Sequence, residues 1–132
     1  MKTNSLNKVE LLNNKLLEFL SYLKKIVRIM IEESNSNSNK ENYNLLVNNI
    51  KSSQSQVKMS LFYNNESMLD LFEENILQYK SDILDKNEYV IKEIQQKIFD
   101  NKINLYGVWN NINPSDKETI WKYLNVFILL VE

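Results

Sequence analysis

Residues Asn113–Glu132, NPSDKETIWKYLNVFILLVE, form the stretch whose reading decides the fold. Pro114 is the chain's one proline, and its fixed φ suits the first turn of a helix, where a missing N–H costs nothing. Asn113 is pushed out of the helical region by the proline ring and can act as N-cap, while Ser115 with Glu118 offers a competing capping box. Asp116 and Glu118 then sit at the positive end of the helix dipole. Beyond that turn Ile120, Trp121, Leu124, Phe127, Ile128 and Val131 recur at three- and four-residue spacing, which places them on one face. Leu129 and Leu130 widen the stripe until little of the last two turns is left for water. The spacing predicts a helix whose end must be covered, either by the rest of the chain or by another molecule. The apolar run Val126–Val131 is far too short to span a bilayer, which takes roughly 20 such residues.

Upstream, INLYGVWNNI (Ile103–Ile112) is dense in aromatics and holds the only glycine, Gly107. It reads as a short helix or turn packed on the C-terminal helix, with Gly107 permitting a close backbone approach or ending the element. Further out, Ser5 or Asn7 to about Glu33 carries Val9, Leu12, Leu16, Phe19, Leu23, Ile26 and Met30 as a and d positions of three heptads. Leu11, Leu17, Leu20, Val27 and Ile31 flank that seam, so it is wider than a dimeric coiled coil requires. Two uses follow from it, a bundle core or a self-associating helix. Lys24, Lys25 and Arg28 interrupt the apolar run Leu16–Ile31, which argues against a membrane span.

Between these ends, SNSNSN (34–39) is polar and of low complexity and reads as a flexible connector, with Ser38 and Glu41 as the capping box of the next helix. That second helix, Lys40 to Tyr63, places Tyr43, Leu46, Val47, Ile50, Val57, Leu61 and Phe62 on one side. SSQSQ (52–56) interrupts the stripe with a polar patch, predicting a kink or an exposed segment, with a binding surface as the sharper alternative. Asn64 and Asn65 mark a turn, and Asn65 or Ser67 caps a third helix reaching Leu84, with Leu69, Phe72, Ile76, Tyr79 and Ile83 inward. Asp85 with Glu88 resembles a capping box for a fourth helix to Asp100, although one longer helix fits as well. No period-2 alternation persists anywhere. The expected architecture is all-α, a single-domain bundle of about five or six helices over residues 1–132.

The chain is of single-domain length, and 43% hydrophobic and 25% charged residues are ordinary globular values. With a net charge of −1 and one arginine, Arg28, a dedicated nucleic-acid binder is disfavoured, because such domains neutralise phosphates with a cationic surface. Alanine is absent and glycine, proline and arginine occur once each, beside abundant Asn, Lys and Ile. Residues with GC-rich codons are therefore scarce, which points to an AT-rich genome and lowers the weight of any single asparagine. The segment MKTNSLNKVELLNN lacks the apolar core of a signal peptide, so an intracellular location is expected.

Chemistry is narrowly bounded. Without histidine or cysteine the chain lacks the usual general base near neutral pH, the common zinc ligands and a thiol nucleophile. One glycine cannot write a phosphate-binding loop. The acids Glu32 and Glu33, Glu73 and Glu74, and Asp82, Asp85 and Glu88 are close in sequence, but adjacent residues diverge on a helix and read as solvated faces. No catalytic residue, metal site, cofactor or small-molecule substrate is inferred. Trp109, Trp121, Tyr106 and Tyr123 form either a ligand box or, as aromatics at helical spacing usually do, core.

The segment VWNNINPSDKETIWKYLNVFILL resembles a motif of short helical proteins of large nucleocytoplasmic DNA viruses, in which a tryptophan-bearing turn and a polar loop precede a helix of the form K-x-x-I-W-K-Y-L. The matching residues are Trp109, Lys117, Ile120, Trp121, Lys122, Tyr123 and Leu124. The resemblance covers about a fifth of the chain and implies a viral helical protein, in host cytoplasm or virion, with no catalytic signature.

The function expected is therefore a non-enzymatic interaction or structural protein acting through protein–protein contacts or self-association, with Leu16, Phe19, Leu23, Ile26, Trp109, Trp121, Leu124 and Phe127 as candidate contact residues. A groove-binding regulator that captures an amphipathic helix, of the apoptosis-modulator type, is one alternative. Weak association with nucleic acid through lysines is another.

Overall fold

The computed structural model describes residues 5–132. Residues 1–4, which begin the segment read against a signal peptide, lie outside the described residues. Seven α-helical segments follow one another: α1 (Ser5–Glu33), α2 (Asn37–Phe62), α3 (Ser67–Asn75), α4 (Lys80–Leu84), α5 (Tyr89–Phe99), α6 (Leu105–Val108) and α7 (Pro114–Val131). Single 3-10 turns at Leu77–Tyr79 and Trp109–Asn111 complete the element order, and no strand occurs among the described residues. The fold is an all-α bundle. Five helices of nine residues or more carry it, and α4 and α6 are single-turn links.

Local chemistry sets the boundaries. Asn113 is the N-cap of α7: its backbone is extended (φ −71°, ψ 157°) and its Oδ1 accepts the Asp116 N–H at 2.9 Å. That decides between the two caps the sequence offers, because Pro114 forces the preceding residue out of the helix. Three exits use a non-glycine residue in the left-handed region, which a chain with one glycine has to do. Asn64 (φ 52°) follows α2, where the Asn65 N–H reaches Ser60 O at 2.8 Å. Lys86 (φ 55°) follows α4, with Asn87 N–H to Asp82 O at 2.9 Å. Asp100 (φ 51°) and Asn101 (φ 59°) end α5, with Asn101 N–H to Gln95 O at 3.0 Å.

Several expectations are corrected here. The connector is not 34–39 but the three residues 34–36, since Ser36 caps α2 by accepting the Asn39 N–H at 3.3 Å. Asn37, Ser38 and Asn39 are already helical, and Ser38 caps nothing. SSQSQ does not break α2, which runs unbroken to Phe62. The third helix does not reach Leu84 in one piece; it ends at Asn75 and resumes at Lys80 after the 3-10 turn, keeping both Ile76 and Ile83 buried. Asp85 closes α4 instead of capping α5, which starts at Tyr89 without a side-chain cap.

One core unites the helices. α1 packs along α2 and also meets α3 and α7, while α5 lies against α3 and α6. An aromatic ladder runs through the contact of α1, α3 and α7: Phe19 meets Tyr123 at 5.1 Å and Phe127 at 5.6 Å, and Phe127 meets Phe72 at 5.1 Å. These tilted and edge-on pairs are the arrangement that ring quadrupoles favour.

Candidate functional site

The eight residues singled out from sequence are all interior. Leu16, Phe19, Leu23, Ile26, Trp109, Trp121, Leu124 and Phe127 are each at most 5% exposed and belong to the one core. The wide stripe of α1 is met by α2, α3 and α7, and α7 by α1, α3 and α4, so the central apolar stripes are covered inside the chain; Leu129 and Leu11, expected to widen them, are instead 71% and 53% exposed. The eight do not form a surface. Trp109 and Trp121 stack edge to face at 5.6 Å, and the Lys117 ammonium lies 5.4 Å from the Trp109 ring centre. Tyr106 points outward at 41% exposure, so the four aromatics do not enclose a ligand box.

The acids do not converge either. Among the described residues no three His, Cys, Asp or Glu side chains form a group able to hold a metal ion. Asp82, instead of facing Asp85 and Glu88, accepts hydrogen bonds from Asn87 Nδ2 at 2.9 Å and from the Tyr89 hydroxyl at 3.0 Å. A cleft of about 530 Å³ lies between α2 and the α5–α6 corner. Its walls carry Asn42, Asn49, Gln95, Asn101, Asn104 and Lys102, with few of the apolar side chains that a groove for an amphipathic helix needs. Gln95 and Asn104 are already engaged: Gln95 Oε1 accepts the Tyr106 N–H at 2.8 Å, and Asn104 Oδ1 accepts from Gln95 Nε2 and Gly107 N–H at 3.1 Å each.

Exposed apolar side chains gather at the C-terminal end of α2. Phe62 is 79% exposed, the Tyr63 ring sits edge-on to it at 5.0 Å, and Met59, one helical turn back, is 60% exposed. The sequence pattern places Phe62 on the buried face of α2, whereas in the structure it stands in water. The buried positions Tyr43, Leu46, Val47, Ile50, Gln54 and Val57 keep strict three- and four-residue spacing, and the next position on that line is Leu61. Phe62 falls off the line by one residue. Strict counting would have found the exposed tip in the sequence.

The polar gap is also resolved. Gln54 is buried against α1, where its Oε1 accepts from Lys24 Nζ at 3.0 Å and its Nε2 donates to Ser21 Oγ at 3.0 Å. Thus the middle of the α1–α2 contact is a hydrogen-bonded polar step within an apolar seam. The Lys24 ammonium is held below the ordinary lysine range, first by burial and then by repulsion from Arg28, Lys51 and Lys58. No helix among the described residues is long and apolar enough to cross a membrane. Compared with known proteins, the chain matches no family model, no curated protein and no solved structure.

Proposed function

We propose that this protein is a non-enzymatic helical interaction protein that acts through protein–protein contacts made by the C-terminal end of α2. The observation that carries the reading is the Met59–Phe62–Tyr63 knob. Aromatic and Met side chains are enriched in protein interfaces, and burying one such side chain contributes about 1.5–3 kcal/mol. Phe62 is the most exposed large apolar side chain among the described residues, and Tyr63 beside it is 68% exposed. A viral source, proposed on the likeness of Trp109 and Lys117–Leu124 to short helical viral proteins, is in line with this role.

The test places a photoreactive benzophenone amino acid at position 62, or at exposed Lys97 as a control, in the full chain in its native cells. Light scattering of the purified chain over a wide concentration range accompanies it. A protein adduct specific to position 62, or self-association lost on Phe62→Ala, supports the reading. A monomer that yields no adduct specific to position 62 overturns it.

A further inference from the structure

The α1–α2 seam carries a charge pattern that the overall balance conceals. Between Glu18 and Glu32 α1 has no carboxylate but three cations, Lys24, Lys25 and Arg28. Between Glu41 and Glu66 the chain has none either, and holds Lys51 and Lys58. Five of the sixteen cationic side chains thus lie in two carboxylate-free stretches, leaving eleven against seventeen carboxylates for the rest. The fold brings the two stretches together. Lys24 and Gln54 are bonded across the seam, and Arg28, Lys51 and Lys58 all repel the Lys24 ammonium. Among the described residues none of Lys24, Arg28, Lys51 and Lys58 forms an ion pair; the ion pairs present are Lys15–Glu18, Lys80–Glu132 and Lys86–Glu118.

Unpaired like charges held together destabilise the fold that holds them. An anionic partner relieves that repulsion and gains attraction at the same step. Helical spacing places Lys51, Ser55, Lys58 and Phe62 along one stripe of α2, so the cations run directly into the apolar knob. We propose that this combined surface docks an acidic amphipathic helix of a partner protein, a proposal that rests on the interaction reading above. Lys51 and Lys58 are separated by about 10 Å of helix axis, the rise that also separates two carboxylates seven residues apart on a partner helix. A phosphodiester chain would meet the cations and leave Phe62 and Met59 in water. A bilayer would find only three apolar side chains, far less than stable anchoring takes. An acidic helix whose docking face carries carboxylates and then apolar side chains satisfies the cations and the knob together.

The probes are a fluorescent 18-residue helix carrying on one face two glutamates seven residues apart followed by leucines, its scrambled isomer, a 20-nucleotide DNA and phosphatidylserine vesicles, at low and physiological salt. The patterned peptide is expected to bind most tightly, about tenfold better than its scramble. Lys51→Glu with Lys58→Glu is expected to cost at least about tenfold, mainly at low salt, while Lys97→Glu with Lys102→Glu changes nothing. The charge-reversed pair is also expected to abolish the adduct at position 62. Tighter binding of DNA or vesicles, equal binding of the scramble, or no binding of the patterned peptide overturns the proposal. An adduct that survives charge reversal overturns it too while leaving the interaction reading intact, and a salt-sensitive self-association lost on reversal overturns it in favour of a second copy of the chain.

Discussion

Replacing Gly107 by alanine is expected to destabilise the protein through one neighbour, Asn104. A Cβ at position 107 would lie 2.4 Å from Asn104 Nδ2 and 2.8 Å from its Cγ and Oδ1, closer than real Cβ atoms come. Gly107 does not have a positive φ, so backbone strain plays no part. The Asn104 side chain is exposed and can swing away, but it then gives up the bonds from Gly107 N–H and Gln95 Nε2. Two such bonds contribute about 0.5–1.5 kcal/mol each, while alanine in a helical turn gains about 0.5–1 kcal/mol over glycine. The net expectation for Gly107→Ala is a loss of about 1 kcal/mol. In an Asn104→Ala background the obstacle is gone, and the same substitution should be neutral or stabilising. A double-mutant cycle read by urea unfolding, followed through the Trp109 and Trp121 fluorescence, should give a coupling of about 2 kcal/mol. Equal effects of Gly107→Ala in both backgrounds would refute the account.

Three further outcomes follow from other buried or capping groups. Asn13 is fully buried, its Nδ2 donates to Val9 O at 2.8 Å and its Oδ1 has no partner, so Asn13→Leu should stabilise by about 1 kcal/mol in calorimetry; a clear loss would count against a dry site. Ser36→Ala removes the cap of α2 and should cost about 1 kcal/mol in chemical unfolding, whereas Ser38→Ala should cost little, the reverse of what a cap at Ser38 requires. Burial and then the bond to Asp116 raise the Tyr22 phenol, and burial and then Glu18 raise that of Tyr123. A raised folded value means the fold favours the neutral phenol, so this stability is full below the ordinary value near 10 and is lost as pH climbs through the folded values. Thermal unfolding should therefore be insensitive to these groups from pH 7 to about 9 and fall above it, less steeply in Tyr22→Phe; an unchanged slope would remove Tyr22 from the account.

Where the sequence could be read, short-range rules were at work. The caps and faces of α7 and the face of α1 follow from spacing and from Pro114, because both depend on residues within one or two turns. What spacing cannot say is which neighbour covers a face. The stripe of α1 fitted a bundle core or a self-associating helix equally well by spacing, because the partners that make it core, α2, α3 and α7, come from up to about a hundred residues away in the chain. In SSQSQ, Ser52, Ser55 and Gln56 are exposed as expected, and Gln54 alone is buried, for a related reason. A glutamine on an apolar stripe is costly only if unpaired, and whether Lys24 and Ser21 stand opposite it is decided by the antiparallel register of α1 and α2, which no local pattern encodes.

The same register explains why the charge segregation was passed over although every residue of it was visible. Lys24, Lys25 and Arg28 read locally as interruptions that argue against a membrane span, and Lys51 and Lys58 belong to no local motif. Only when Gln54 fixes the register do the two carboxylate-free stretches become neighbours. Gln54 is therefore the residue that joins fold to proposed surface. Replacing it by leucine would keep the helices packed and remove the acceptor that holds the Lys24 ammonium at the seam. That variant should retain its thermal stability within about 1 kcal/mol, since an apolar residue of similar volume replaces a satisfied polar one. Its affinity for the patterned acidic peptide should change by far less than on reversal of Lys51 and Lys58, because the charges stay. If Gln54→Leu instead unfolds the bundle, the polar step carries the α1–α2 pairing itself, and the cations are gathered there by structural need rather than for a partner.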